Sequence, residues 1–94
     1  MVSIAKATEN AIAFAQEALG PDRTAGVRLE EVESTTVAGK DAWVITLSMI
    51  SQDPFHTNSF AAALGRGKRE YKSFTVLKQD GEVTSMKIRE LADA

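Results

Sequence analysis

Residues 42–50 read Ala-Trp-Val-Ile-Thr-Leu-Ser-Met-Ile, and this stretch decides the fold. Large side chains alternate with smaller ones along it, which is typical of a β-strand with two unlike faces. One face carries Trp43, Ile45, Leu47 and Met49, and the other carries Ala42, Val44, Thr46 and Ser48. Burying each large aliphatic side chain is worth about 1.5–3 kcal/mol, so we expect the first face to pack against a second layer.

The second layer is predicted upstream, where residues 4–19 have the period of an amphipathic helix. Its apolar stripe comprises Ile4, Thr8, Ala11, Ile12, Ala15 and Leu19. Ser3 is the expected N-cap, because a serine hydroxyl accepts a hydrogen bond from an otherwise unpaired amide. Gly20 and Pro21 end the helix, since glycine tolerates the left-handed closing conformation and proline cannot extend the hydrogen-bond ladder.

Strands are predicted over residues 27–36, 42–50, 70–78 and 83–89. The first pair is joined by a turn at residues 38–41, and the second pair meets at Asp80–Gly81, a strong hairpin signal. Alternation in the first strand needs a bulge near Glu30–Glu31, and a short helical turn is the alternative there. In the last strand, Thr84, Met86 and Ile88 should share one face, and Val83, Ser85 and Lys87 the other.

The predicted fold is therefore α+β, a single domain spanning residues 1–94. One N-terminal helix packs on a four-stranded antiparallel meander sheet, and a long loop, residues 51–69, lies between strands 2 and 3. At nineteen residues, this loop far exceeds an ordinary hairpin connection.

An alanine-rich helix closed by Gly-Pro, followed by strands and the stretch REYKSFTVLKQDGEVTSMKI (residues 69–88), resembles the PepSY-like and broader cystatin-like small domains. The resemblance covers residues 4–88, with the closing hairpin turning at Asp80–Gly81. It implies the fold described above. It also implies a role in binding or restraining peptidases, which members of that family have, mostly as exported or membrane-attached proteins. No functional residue is carried over from it.

The amino-acid composition of the chain excludes several classes of protein and of binding site. The chain has 94 residues, no cysteine, one histidine and a net charge of −2. These numbers exclude a disulfide framework and a thiolate metal site, and they disfavour a dedicated nucleic-acid binder. No stretch reaches the roughly 18 apolar residues that a membrane span needs, and no secretory leader precedes the helix, so we expect a cytoplasmic protein without membrane attachment.

Candidate catalytic groups are few. Asp53, His56 and Ser59 have the residue types of a triad, but they crowd into one loop, and an ordinary loop histidine is the simpler interpretation. Glu31 and Glu33 should share one strand face where a cation could bridge them, although a solvated face is the simpler interpretation. Residues 65–69, Gly-Arg-Gly-Lys-Arg, lack the spacing of a phosphate-binding loop. We therefore predict no catalytic residues, no metal site and no cofactor.

Charge is divided unevenly: residues 1–53 carry eight acidic and four basic side chains, and residues 54–94 carry five and seven. Such a dipole favours oriented docking on a protein partner or a second copy, which makes a homodimer a natural possibility. Phe55, Phe60 and Leu64 in the long loop either fold back over the core or contact a partner, with disorder as the remaining interpretation. The candidate partner-binding residues are Phe55, His56, Phe60, Leu64, Arg66 and Arg69.

The sequence is compatible with two functions. The favoured one is a non-enzymatic binding or regulatory module, such as an accessory, inhibitor-like or immunity protein, which acts through the open sheet face and the loop. The alternative is a small ligand-binding or enzymatic domain that uses the concave side of the sheet.

Overall fold

A computed structural model of the chain describes residues 1–50 and 69–89. Its elements are α1 (Ile4–Leu19), a short 3-10 helix (Pro21–Arg23), β1 (Ala25–Val37), β2 (Lys40–Ile50), β3 (Arg69–Leu77) and β4 (Val83–Ile88). The strands form one antiparallel sheet in the order β1-β2-β3-β4, with α1 packed on one face. The predicted α+β meander is confirmed. Of the predicted loop, Arg69 is the first residue of β3, and the rest lies outside the described residues.

The ends of α1 are where the local sequence predicts them. The Ser3 hydroxyl accepts a hydrogen bond from the Lys6 amide at 3.1 Å, so serine caps the first turn. At the other end, the Gly20 amide donates to the carbonyl of Gln16, and Gly20 adopts φ = +85°, a region that favours glycine. Pro21 then begins the short 3-10 helix.

The core lies between α1 and the two central strands. On the helix side, Ala7, Ala11 and Ala15 are fully buried. On the sheet side, the core comprises Ile45, Leu47, Met49, Phe74 and Val76. The predicted stripe is therefore rotated: Ala7 belongs to its centre, whereas Ile4 is 44% exposed. Small side chains bring the helix close to the sheet, and the large apolar side chains are supplied by the strands.

Strand register confirms the two faces predicted for β2. Trp43 and Ile45 lie opposite Val76 and Phe74 on the α1 side, and Thr46 lies opposite Ser73 on the other side. β1 contains the predicted bulge, because its register shifts between Leu29 and Glu31, and a second shift occurs between Ala25 and Arg28. Glu31 and Glu33 consequently share the face opposite α1, as predicted.

The faces predicted for β4 are wrong in part. Val83 packs against the core together with Met86, whereas the alternation in the sequence places them on opposite faces. The reason is a register shift between Thr75 and Val76, so that Val83 lies opposite Val76 while Ser85 lies opposite Thr75. The extra residue in β4, Thr84, changes the face on which Val83 lies.

Within residues 1–50 and 69–89, no helix has the length and apolar character needed to cross a membrane.

Candidate functional site

The sheet face opposite α1, called the open face below, is rich in hydroxyl groups. Pairing across β2, β3 and β4 places five serine and threonine hydroxyls there: Thr46, Ser48, Ser73, Thr75 and Ser85. Their placement follows from the alternation of the strands, since the large apolar residues between them face α1. The described residues contribute no second helix to this side.

Arg69 begins the first of two hydrogen-bonded chains across the open face. From the start of β3 it reaches over β2, where its Nε donates to the Ser48 hydroxyl at 2.8 Å, and one of its terminal nitrogens donates to the Gly26 carbonyl of β1. Ser48 in turn donates to the Glu30 carboxylate at 2.5 Å. Glu30 also accepts from Arg28 at 3.3 Å. The chain therefore links β3, β2 and β1 through polar side chains and the Gly26 carbonyl.

Arg89 forms the second chain, one step further along β2. Its guanidinium makes a forked pair of bonds with the Glu31 carboxylate, at 2.5 and 3.2 Å, and it also donates to the Thr46 hydroxyl at 2.9 Å. Thr46 is in contact with Ser73 at 3.3 Å. Arg89 directly follows β4, so it joins one edge of the sheet to the other. The two chains together are called the arginine network.

The hydroxyl groups beneath the arginines are buried. Thr46 is 2% exposed and Ser48 is fully buried, although both lie on the face opposite the helix. Because buried hydroxyls need partners, their bonds to Arg89, Arg69 and Glu30 satisfy them. The charged ends stay closer to solvent, since the Arg89 and Glu31 side chains are 36% and 45% exposed. The open face is thus a charged surface above a satisfied hydroxyl row.

The network also sets the charge of its members. The hydrogen bond from Ser48 is the main cause that lowers the pKa of Glu30, assisted by the positive charges of Arg28 and Arg69. The hydrogen bond with the Glu31 carboxylate raises the pKa of Arg89. Glu30 therefore stays ionised to a lower pH than an ordinary glutamate, and the Arg89 guanidinium stays charged.

Of the six predicted partner-binding residues, the structure places Arg69, which is a central member of the arginine network. Phe55, His56, Phe60, Leu64 and Arg66 lie outside the described residues, and so do Asp53 and Ser59. Sequence reasoning missed Arg89 as a site residue. Its position at the end of the predicted last strand, residues 83–89, was the available signal, but nothing local indicates that it reaches β1.

The basic side chains at the start of β3 do not form one surface. Arg69 lies on the open face opposite Ile50, whereas Lys72 lies opposite Leu47 on the α1 side and is 6% exposed. A strand turns successive side chains to alternate faces, so charges that are close in sequence point apart.

Two cavities among the described residues lie away from the arginine network. One of about 340 Å³ sits at the turn end of the sheet and is lined by Met1, Gly39, Lys40, Asp41, Lys78 and Gln79. The other, about 260 Å³, is bordered by Phe14, Glu17 and Ala18 on α1.

Within residues 1–50 and 69–89, no three acidic or histidine side chains converge in a way that could hold a metal ion.

Comparison with known proteins adds no relative: no protein-family model, no curated protein and no solved structure matches this chain.

Proposed function

We propose that this protein is a non-enzymatic binding or regulatory module, of the accessory, inhibitor-like or immunity-protein kind. It docks on a larger protein through its open face, and a cytoplasmic site of action is part of the same proposal. The observation that carries it is the arginine network, which covers the buried hydroxyl row with exposed guanidinium and carboxylate groups.

A network of this kind suits recognition because its charges are held in place before a partner arrives. Arg69 and Arg89 each make several hydrogen bonds within the chain, so little side-chain freedom remains to be lost on binding. Fixed charges of both signs orient a partner and reject surfaces with the wrong pattern. The predicted loop residues Phe55, Phe60 and Leu64 remain part of this proposal as additional contacts.

The chemistry of Ser48 argues against the enzymatic alternative at this face. Its hydroxyl donates to Glu30, as a nucleophile donates to a general base. However, the lowered pKa of Glu30 makes that carboxylate a weak base near neutral pH. Ser48 is also fully buried beneath Arg69, so a substrate carbonyl has no approach to it.

A quantitative capture experiment tests the proposal. Tagged wild-type protein is compared with Ser85→Arg, which adds a bulky charge to the open face, and with Ala13→Arg, which adds the same group to the exposed side of α1. Circular dichroism first establishes that both variants are folded. We expect a protein that co-purifies with the wild type and with Ala13→Arg to be lost from Ser85→Arg. Equal recovery with all three chains would show that the open face is not the docking surface.

A further inference from the structure

Two exposed charges lie at opposite edges of the open face. Glu33 of β1 is opposite Val44, and Lys87 of β4 is opposite Ser73, which places both side chains on this face. Both residues are exposed. One edge of the face therefore presents an exposed carboxylate, and the other edge presents an exposed ammonium group.

The remaining charges of the face are largely neutralised within the chain. Glu30 is bonded to Arg28, and Glu31 forms its forked pair with Arg89. Among the described residues, neither Glu33 nor Lys87 takes part in a salt bridge. At the two edges of the face, the charges of these two side chains are consequently available to an incoming surface. Lys40 of β2 is a further exposed charge, and Glu33 also acts on Arg89 through its charge.

The charges of one open face are complementary to those of a second open face when the two copies are related by one particular two-fold rotation. A two-fold axis that runs parallel to the strands, between β2 and β3, stacks two open faces so that β1 of each copy lies over β4 of the other. Glu33 then meets Lys87 of the second copy at both edges. The two residues occupy adjacent rows, about 7 Å apart along the strands, which is within the reach of their side chains. Each isologous contact therefore forms twice.

The other two-fold axis in the plane of the face is disfavoured by the same charges. It runs across the strands and stacks β1 on β1 and β4 on β4. Glu33 then faces the carboxylates of a second β1, and Lys87 faces a second β4 with its own Lys87. Like charges brought together in this way oppose association. The charge pattern thus selects a single orientation.

We propose that the open face binds a second copy of this chain, with the two-fold axis parallel to the strands and reciprocal Glu33–Lys87 pairs at its edges. The proposal rests on the docking role proposed above for this face and goes beyond it, because a second copy occupies the face when no larger protein is bound. Half-buried Val44 and Tyr71 lie between the charged edges and supply apolar contact area.

The available area fits a weak, reversible dimer. Four strands spaced about 4.8 Å apart, paired over nine positions of β2 and β3, cover roughly 550 Å² per copy. The pair buries roughly 1,100 Å², just above the lower limit for a specific interface. With charged groups at the edges, we expect a weak dimer whose dissociation constant increases with salt.

Sedimentation of the purified protein alone, over roughly 1 μM to 1 mM, tests the proposal. We expect dimers in the wild type, and a dissociation constant at least about tenfold higher in Glu33→Lys and in Lys87→Glu, because each variant turns two attractive contacts into repulsive ones. The double variant Glu33→Lys/Lys87→Glu should recover the wild-type behaviour. Glu17→Lys, on the exposed side of α1, is the control with the same change in net charge as Glu33→Lys.

Three outcomes would contradict the proposed homodimer. The wild type could be monomeric at every concentration, neither Glu33→Lys nor Lys87→Glu could weaken the dimer, or the double variant could fail to regain the wild-type dissociation constant. These outcomes are independent of the capture experiment. A chain that stays monomeric and yet loses a foreign protein in Ser85→Arg keeps the proposed docking role but not the homodimer. A dimer that captures no other protein supports the homodimer but not docking on a larger protein.

Discussion

Gly81 shows how one residue couples the β3–β4 turn to the helix. It adopts φ = +79°, and its carbonyl accepts a hydrogen bond from the Asn10 side chain of α1 at 3.0 Å. A β-carbon built on Gly81 would stand 2.6 Å from the same Asn10 nitrogen and 3.1 Å from a methyl group of Val2. The position therefore requires glycine both for its backbone conformation and for the close approach of the helix.

Gly81→Ala should lower the free energy of unfolding by about 1–3 kcal/mol, because it combines left-handed backbone strain with a clash that breaks the Asn10 bond. Gly39→Ala is the matched control: Gly39 has φ = +80°, but no atom lies within 4 Å of its added carbon. Urea denaturation measures both variants. Equal losses would show that the contact with Asn10 contributes nothing to stability.

Glu30 makes stability depend on pH. Its pKa is lowered in the folded state, chiefly by the Ser48 hydrogen bond, so ionised Glu30 favours folding. This contribution is complete above the carboxyl pKa of the unfolded chain, about 4.3, and is lost as the pH falls through the lower folded value.

Glu30→Gln should therefore reduce stability at neutral pH, and its difference from the wild type should shrink as the pH is lowered below about 4. Ser48→Ala keeps the carboxylate but removes its main partner, and it should weaken the same pH dependence. Urea denaturation from pH 7 to pH 2 measures these profiles. A wild-type profile parallel to that of Glu30→Gln over the whole range would contradict this role.

At the scale of elements, α1 contacts the sheet through alanines. Ala7, Ala11 and Ala15 have no exposed surface and pack against large side chains of β2 and β3, such as Phe74. Phe14 of α1 meets Phe74 edge to face with ring centres 6.3 Å apart. The small residues set the distance between the two layers, so the interface has no room for a longer side chain.

Ala11→Leu should destabilise the fold by about 1–3 kcal/mol, because the added carbons push the helix away from the sheet. Ala13→Leu is the control on the exposed side of the same helix, where the helix propensities of alanine and leucine are similar and we expect little change. Thermal unfolding followed by circular dichroism compares them. Comparable midpoints for the two variants would place a cavity beside Ala11.

At the scale of the whole molecule, Arg89 joins the two edges of a sheet that does not close on itself. Successive strands are neighbours, so the backbone hydrogen bonds between the described strands link only consecutive ones. The Arg89–Glu31 pair spans all four strands, from the end of β4 to β1. This long-range contact holds β4, the shortest strand, against the rest of the sheet.

Arg89→Ala should increase hydrogen exchange of the backbone amides in β4 more than in the central strands, because β4 loses its attachment to the opposite edge. In a double-mutant cycle, the variant that combines Arg89→Ala with Glu31→Ala should lose less free energy of unfolding than the sum of the losses of the two single variants. Strict additivity would show that the pair contributes no coupling between the edges.

Local pattern was enough to predict the elements of this fold. Ser3 and Gly20 bound the helix, and the alternation from Trp43 to Met49 separates a core face from a polar face; all of these are confirmed. The bulge in β1 was also predicted, because Leu29 and Val32 cannot share a face without an extra residue. In each case the determining interactions lie within a few residues along the chain.

Only the tertiary structure decided how distant residues meet. The face of Val83 depends on the pairing of β4 with β3, and the arginine network joins residues 28–31, 46–48, 69 and 89, which no local period relates. Strand alternation determines the face to which a side chain points, whereas its partner depends on the register between strands. The partners of an arginine that crosses two strands depend on the register of both strand pairs. Neither those partners nor the exposed charges of the open face can therefore be obtained from the spacing of residues along the chain.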